Sequence, residues 1–315
     1  MDLETKLRET ARALLEKKEV DTVIGYEKDD MPLRMVPCFI SKPEDVGRLV
    51  WNPLCENNLT KYLVKRAEKT AVIAKSCDVK SIIVLINEKQ IKRDKIIIIG
   101  MPCNGVIDRQ KIHNYLDNEE INEAEIGDNI IKIKCDDFIK DLKISDFIHK
   151  SCLECQQRNP VLFDIFIGNK AVEIESGDEY AEIKELENKT AQERWEYFKK
   201  ELSKCNRCYA CRQACPLCYC KSCFVDQNFP AWFGKGTEIS DTISFHLLRA
   251  LHTTGRCVDC AACERACPQN IKLRMLTKKI EKDIKELFGS EAGLEIGEAT
   301  PLTSFDENDP QEFIV

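Results

Sequence analysis

The sequence contains no apolar run long enough to cross a bilayer. Its longest, Ile82–Ile86 and Ile96–Ile99, fall far short of the ~20 residues a spanning helix needs. The opening stretch from Met1 to Lys18 is charged and lacks the apolar core of a secretory leader. A cytoplasmic chain without membrane association, its thiols kept reduced, is therefore expected. The motifs of several enzyme classes are also missing: P-loop, H-E-x-x-H, G-x-S-x-G, C-x-x-C-H and G-x-G-x-x-G do not occur. Histidine is scarce, and His113, His149, His246 and His252 read as surface or helix residues rather than ligands. There is no basic excess: 47 Lys and Arg against 54 Asp and Glu give a net charge of −7. Nucleic acid is thus not an expected partner.

What the sequence has instead is sulfur. Its 315 residues, enough for two domains, carry 18 cysteines, and eleven of these fall between Cys205 and Cys267. In a reducing compartment such clustering reads as metal ligation. Two runs share one spacing: Cys205, Cys208, Cys211 and Cys215 before Pro216, then Cys257, Cys260, Cys263 and Cys267 before Pro268. Three cysteines at two-residue gaps curl a short loop around one cuboidal iron–sulfur cluster. The fourth, fixed by the proline behind it, reaches the neighbouring cluster. One 4Fe–4S cluster is then expected on Cys205, Cys208, Cys211 and Cys267, the other on Cys257, Cys260, Cys263 and Cys215. Each run supplies a ligand to the other's cluster, so the module should fold only with both bound. Structural zinc stops at four ligands and does not use such runs.

The 41 residues between the runs, 216–256, make this part similar to the helical ferredoxins that act as relay domains in larger reductases. Arg207, Arg212 and Lys221 flank the first run, and no acid lies between Cys205 and Cys223. Positive charge there would raise a cluster's potential; ordinary surface charge is the alternative. Cys218, Cys220 and Cys223 are surplus, as a further ligand set, as substitutes for Cys215, or as small packing side chains.

Upstream, Asp2–Lys18 has the apolar spacing of a docking helix, with Asp2 as N-cap. Residues 20–50, with prolines at 32, 37 and 43, read as irregular, and Asn58 as the cap of a helix through Glu68. Ala71–Lys75 and Lys95–Gly100 read as strands joined by a helix over Asp78–Lys89, a unit whose crossover makes its strands parallel. A helix over Asp108–Leu116, a strand over Asn129–Lys134 and a strand pair, Leu162–Ile167 with Ala171–Glu175, continue an α/β domain. Cys77 and Cys103 then lie just beyond the carboxyl ends of adjacent parallel strands, the edge at which open α/β sheets place ligands. With Cys152 and Cys155 they form a candidate third ligand set. Burial as packing residues is the alternative, with Cys55 and Cys135, and less so Cys38, as substitutes.

The stretches AKSCDVKSI, IIIIGMPCNGVID and CLECQQRNPVLFDIFIGN resemble the three cysteine-bearing blocks of the β-subunit family shared by deazaflavin-reducing hydrogenases and formate dehydrogenases. CRQACPLCYCKSCF and GRCVDCAACERACP resemble the C-terminal extension of its formate-dehydrogenase-type members. The resemblance implies that Cys77, Cys103, Cys152 and Cys155 hold a third 4Fe–4S cluster, and that FAD binds in the same domain and exchanges electrons with a deazaflavin. The expected architecture is an α/β domain with a parallel sheet over 1–177, a linker helix over 178–204, a helical dicluster ferredoxin-like domain over 205–290, and an acidic flexible tail over 291–315. The expected function is an electron-transfer subunit of an oxidoreductase, partnered by formate dehydrogenase, hydrogenase or heterodisulfide-reductase-like subunits. A flavin-free relay adaptor and a structural metal-binding module are the alternatives.

Overall fold

The computed structural model describes residues 2–173, 178–231 and 234–303. These form two compact units: one runs to Val79 and resumes from Lys92 to Glu173, and the other comprises Lys80–Ile91 and the chain from Asp178 onward.

In chain order the first unit has α1 (Leu3–Glu16), β1 (Thr22–Lys28), β2 (Met35–Ile40), β3 (Thr70–Ala74), the start of α2 (Ser76–Asn87), β4 (Ile96–Gly100) and α3 (Arg109–Tyr115). Then come β5 (Ile121–Ile126), β6 (Ile130–Cys135), β7 (Ile139–Lys143), α4 (Lys150–Leu153) and β8 (Ile165–Phe166). The main sheet is ordered β2-β1-β3-β4-β8. β1, β3, β4 and β8 are parallel, and Val72 stands opposite Ile98 in the register. β3 is buried along its whole length, the signature of a parallel strand covered on both faces. α1 buries Leu7, Ala11, Leu14 and Leu15 on one stripe, which shares a core with Val23, Ile73 and Ile99.

The structure corrects several expectations here. The sheet is mixed: β2 pairs antiparallel to β1, because the link between them is too short for a parallel crossover. Residues 20–50 are not irregular. Pro37 sits within β2, an edge strand of the sheet, where a missing N–H is tolerated. The strand near 130 belongs to a separate antiparallel meander, β5-β6-β7. Asn58 caps only a short 3-10 turn, Leu59–Tyr62, by accepting from the Thr60 N–H. Of the second expected strand pair only β8 forms. Residues 171–173 are irregular, and 174–175 lie outside the described residues.

The second unit is helical, with no strand among its described residues. The expected linker helix is two helices, α5 (Ala181–Glu187) and α6 (Ala191–Leu202). The break falls where Thr190 begins a capping box with Glu193. α7 (Ala210–Ala214) lies in the first cysteine run, α8 (Ile239–Leu251) between the runs, α9 (Ala262–Arg265) in the second run, and α10 (Leu273–Phe288) follows. α7 packs against α9. The acidic segment is not free at its start: Glu291 pairs with Lys80 at 2.8 Å, and Asn87 bonds the Glu295 carbonyl at 3.0 Å and the Gly297 N–H at 2.8 Å. Residues 304–315, with most of the acids and the Phe313-Ile314-Val315 end, lie outside the described residues. No helix among the described residues is long and apolar enough to cross a membrane.

Candidate iron–sulfur sites

The two cysteine runs fold alike. Each needs left-handed backbone at the same two places: Arg207 (φ 58°) and Tyr209 (φ 60°) in the first, Asp259 (φ 52°) and Ala261 (φ 53°) in the second. None of these is glycine, and each costs ~1–2 kcal/mol. Alternation of left- and right-handed residues turns successive N–H groups inward into a nest, the backbone form that receives anions and iron–sulfur groups. The N–H groups behave accordingly. Arg207 N–H donates to Cys205 Sγ at 3.3 Å, and Asp259 donates to Cys257 in the same way. The i+2 donation recurs from Ala262 to Cys260 and from Leu217 to Cys215.

The thiols of the two runs are electrostatic neighbours of one another, within each run and across to the other. Burial, together with the neighbouring Cys267 and Cys208, raises the Cys205 thiol. Burial pushes Cys211 up to about 11, with Cys263, Cys205 and Cys267 adding to it against Arg249. In the second run Cys260 is pushed up to about 12 by burial, with Cys215 and Cys263 as thiol neighbours. Cys263 is raised by burial and also faces Cys215. Cys257 is raised by burial, then by Asp259, Glu281 and Cys260. Like-charge crowding of this kind disfavours the free thiolates, and a polycation that binds them would relieve it. Cys208 is exposed. Of the surplus cysteines, Cys218 bonds Cys215, Cys223 packs on the apolar core of the unit, and Cys220 is exposed.

α8 presents one face to these groups. Thr242, Phe245, His246, Arg249 and Ala250 are buried along it, at the spacing of a single helical stripe. His246 Nε2 lies 3.3 Å from Cys205 Sγ. Burial, with the Arg249 and Arg207 charges, holds its imidazole down to about 3; it is thus neutral. Sequence reasoning reads His246 as a surface or helix residue and overlooks Arg249 altogether. The i, i+3, i+4, i+7 stripe of α8 is the available signal. Of the cations beside the first run, Arg207 is buried and bonds the Asp241 carbonyl at 2.9 Å. Arg212 is neutralised by Asp226 at 2.9 Å, and Lys221 is exposed.

In the first unit Cys77 is the second residue of α2 and Cys103 follows β4, both at the carboxyl edge of the parallel strands. Cys152 lies in α4 and Cys155 just past it. Burial pushes the Cys103 thiol up to about 11; Cys152 and Cys155 add to it, Lys75 opposes it, and the Gly105 N–H donates to it. Gly105 has φ +109°, and a Cβ there would lie 2.8 Å from Ile148 Cγ2 and 3.3 Å from Cys152 Cβ. That glycine lets the Cys103 loop approach the Cys152 segment. Cys77 joins through Lys75, whose charge it supports. Lys75 is buried beside Asp78 at 3.0 Å, bonds the Asn57 carbonyl at 3.0 Å, and also bonds the Tyr26 hydroxyl.

The substitutes separate by position. Cys55 is buried, pushed up to about 12, and has Cys103 among its electrostatic neighbours. Cys38 lies in the α1 core. Cys135 faces inward on the alternating strand β6, with Glu119 and Asp136 nearby. An open cleft of about 730 Å³, lined by Arg34, Trp51, Lys75, Cys103 and Asn104 among others, lies in the same unit.

Unsatisfied polar atoms lie beside several of the same cysteines. Among the described residues, buried side-chain atoms without a hydrogen-bond partner include Ser76 Oγ, Asp78 Oδ1, Gln157 Oε1, Arg158 Nε, Arg207 Nε, His246 Nδ1, Thr254 Oγ1 and Glu281 Oε2. Several adjoin or face a candidate ligand: Ser76 and Asp78 flank Cys77, Arg207 flanks Cys208, His246 faces Cys205 and Glu281 neighbours Cys257. Buried polar atoms are normally satisfied, so this distribution fits groups held at the cysteines. Among the described residues no three His, Cys, Asp or Glu side chains are placed to hold a single ion.

Comparison with known proteins agrees with the cysteine pattern. Residues 67–202 match the family described as the C-terminal region of the coenzyme F420 hydrogenase/dehydrogenase beta subunit. The F420-dependent formate dehydrogenase subunit beta of Methanocaldococcus jannaschii is 26% identical over 343 residues, covering 90% of this chain and 89% of that protein. The F420-dependent formate dehydrogenase 1 subunit beta of Methanococcus maripaludis is 26% identical over 353 residues, covering 91% and 90%. Among solved structures, the F420-reducing [NiFe] hydrogenase complex from Methanosarcina barkeri aligns over 47% of this chain and 58% of that chain, with 13% identity and a TM-score of 0.37. Over residues 67–202 the chain is thus similar to the coenzyme F420 hydrogenase and dehydrogenase beta subunits, and over nine-tenths of its length to two formate dehydrogenase beta subunits.

Proposed function

We propose that this chain is the iron–sulfur electron-transfer subunit of a multi-subunit oxidoreductase of the formate dehydrogenase or hydrogenase type. Two 4Fe–4S clusters would be held by Cys205, Cys208, Cys211 and Cys267, and by Cys257, Cys260, Cys263 and Cys215. A third would be held by Cys77, Cys103, Cys152 and Cys155. The observation that supports the reading is the cross-run proximity of thiols: Cys205 neighbours Cys267, Cys260 and Cys263 neighbour Cys215, and Cys211 neighbours both Cys267 and Cys263. A pair of zinc sites would group each run with itself.

FAD is proposed for the cleft of about 730 Å³, which has Cys103 and Lys75 in its wall. Such a group accepts electrons singly and delivers them in pairs, which clusters cannot do. Lys75, held protonated by Asp78 and Tyr26 despite its burial, would place a fixed positive charge where reduction adds negative charge. The sister subunits, formate dehydrogenase or hydrogenase chains as in the relatives, would hold the other catalytic centre. A deazaflavin would be the two-electron acceptor.

Anaerobic purification tests the reading directly. About twelve iron and twelve sulfide per chain are expected from three four-iron clusters, together with flavin released on acid treatment. A full iron and sulfide count without flavin would replace this reading with the flavin-free relay. Zinc without iron would leave only a structural metal-binding role.

A further inference from the structure

The two thiol groups of the second unit share one buried cation. Arg249 is 5% exposed and projects from the buried stripe of α8. Its guanidinium donates to Cys263, and its electrostatic neighbours are Cys263, Cys211, Cys215 and Cys218. Cys211 belongs to one proposed ligand group; Cys215 and Cys263 belong to the other. Among the described residues no carboxylate stands in ion-pair contact with it, and its electrostatic neighbours are thiols. Arg207, buried beside the first run, likewise bonds carbonyls rather than a carboxylate, but its thiol neighbour Cys205 belongs to one group alone; three other buried cations have carboxylates. Lys75 has Asp78, Arg274 has Asp259 at 2.6 Å, and Lys278 has Glu179, Asp259 and Glu281.

A buried guanidinium without a carboxylate is costly unless some other anion compensates it. Thiolates bound to iron keep their negative charge at every pH the protein meets, so a cluster on each side supplies that compensation. The dependence is mutual. Each one-electron reduction adds one negative charge to a centre that already faces another negative centre, and a fixed cation between them offsets part of the repulsion.

We propose that Arg249 is the shared counter-charge of the two C-terminal centres, a positioning residue that raises both their potentials and moderates the repulsion between them. The inference rests on the two-cluster reading above. It goes beyond that reading by assigning the tuning of both centres to one side chain that ligates neither. Arg is suited to the position because its planar fork addresses thiolates on two sides at once, whereas an ammonium is a point charge.

The test is a dithionite titration of the full chain, followed by electron paramagnetic resonance, in unsubstituted protein, Arg249→Gln and Arg249→Lys. Arg212→Gln serves as the control, because that cation is already paired with Asp226. In Arg249→Gln, at a fixed solution potential, the reduced-to-oxidised ratio of both C-terminal centres should fall at least tenfold, equivalent to 59 mV for one electron. Arg249→Lys should stay within threefold of the unsubstituted chain, and so should the control. Unchanged ratios in Arg249→Gln, or a fall confined to one centre, would overturn the shared role. Should Arg249→Gln lose iron, the lysine variant decides: full iron with near-normal ratios upholds the role of charge, and equal iron loss refutes it. Absence of iron from the unsubstituted chain would instead bring down the cluster reading itself, so the two failures are distinguishable.

Discussion

The candidate-ligand thiols of the first unit lie at the edge of an aliphatic core, whereas those of the second unit are part of its core. Cys77 and Cys103 sit at the ends of β3 and β4, which are buried in a continuous core of aliphatic side chains. The corresponding core of the second unit consists of Leu202, Cys211, Val225, Phe245, Cys267, Ile271 and Leu273, so two of its seven buried members are themselves candidate ligands. Backbone cost follows the same division. One glycine, Gly105, takes the left-handed turn beside Cys103. Four non-glycine residues do so around the paired runs, at ~4–8 kcal/mol in all, comparable with the whole stability of an ordinary domain. Two loops that together store this much strain would be steadied by a bound group. The charge pattern divides likewise: Lys75 brings its own carboxylate, while Arg249 depends on sulfur.

The largest effect expected from this contrast is the response to iron removal. Anaerobic chelation should release the amides of residues 205–267 to rapid hydrogen exchange while those of β3 and β4 stay protected. Equal loss of protection in both units would show that the first unit is no more self-supporting than the second. Cysteine substitution sharpens the comparison. If the runs exchange ligands as proposed, Cys263→Ser should lower iron by about two-thirds, both C-terminal clusters out of three. Cys103→Ser should remove about one-third and leave the thermal midpoint of the first unit nearly unchanged. Equal iron loss in the two variants would mean that the C-terminal clusters assemble independently.

How far the sequence anticipates this structure depends on whether the information is local. Spacing alone points to two equivalent cysteine loops, and the structure gives them left-handed backbone at matching positions, 207 and 209, 259 and 261. The βαβ core is likewise legible in the apolar runs at 71–75 and 95–100. The β1–β2 hairpin is not, since Pro37 masks a strand whose edge position only tertiary pairing reveals. The meander is half-legible, because β5 and β7 are mostly exposed and carry a weak apolar signal. Arg249 and His246 escape notice for a related reason. Their stripe on α8 is visible, but which face meets the thiols is fixed by how α7, α8 and α9 assemble, and no local pattern encodes that.

A third prediction concerns the cation that has its own partner. Lys75→Met leaves Asp78 buried and uncompensated, and breaking a buried pair in this way costs ~3–5 kcal/mol. Denaturant unfolding followed at β3 and β4 should show that loss even in iron-depleted protein. A small change would mean that Asp78 finds enough compensation in the Lys75 N–H, which already donates to it at 2.9 Å.

The smallest effect lies between the two thiol regions in sequence. Thr190 accepts from the Glu193 N–H at 3.3 Å, and the Glu193 carboxylate returns to the Thr190 N–H at 2.7 Å. This box starts α6, whose last residue, Leu202, lies in the core that backs Cys205. Thr190→Ala removes one acceptor and should cost ~1 kcal/mol. If the second unit draws its stability from metal, that loss should barely move the unfolding midpoint of the iron-loaded protein. In chelated protein the same substitution should lower the residual helicity of 191–202 measurably. Equal shifts with and without iron would indicate that α6 holds its place independently of the clusters, and that the strained loops are supported from the helix side as well as from the metal side.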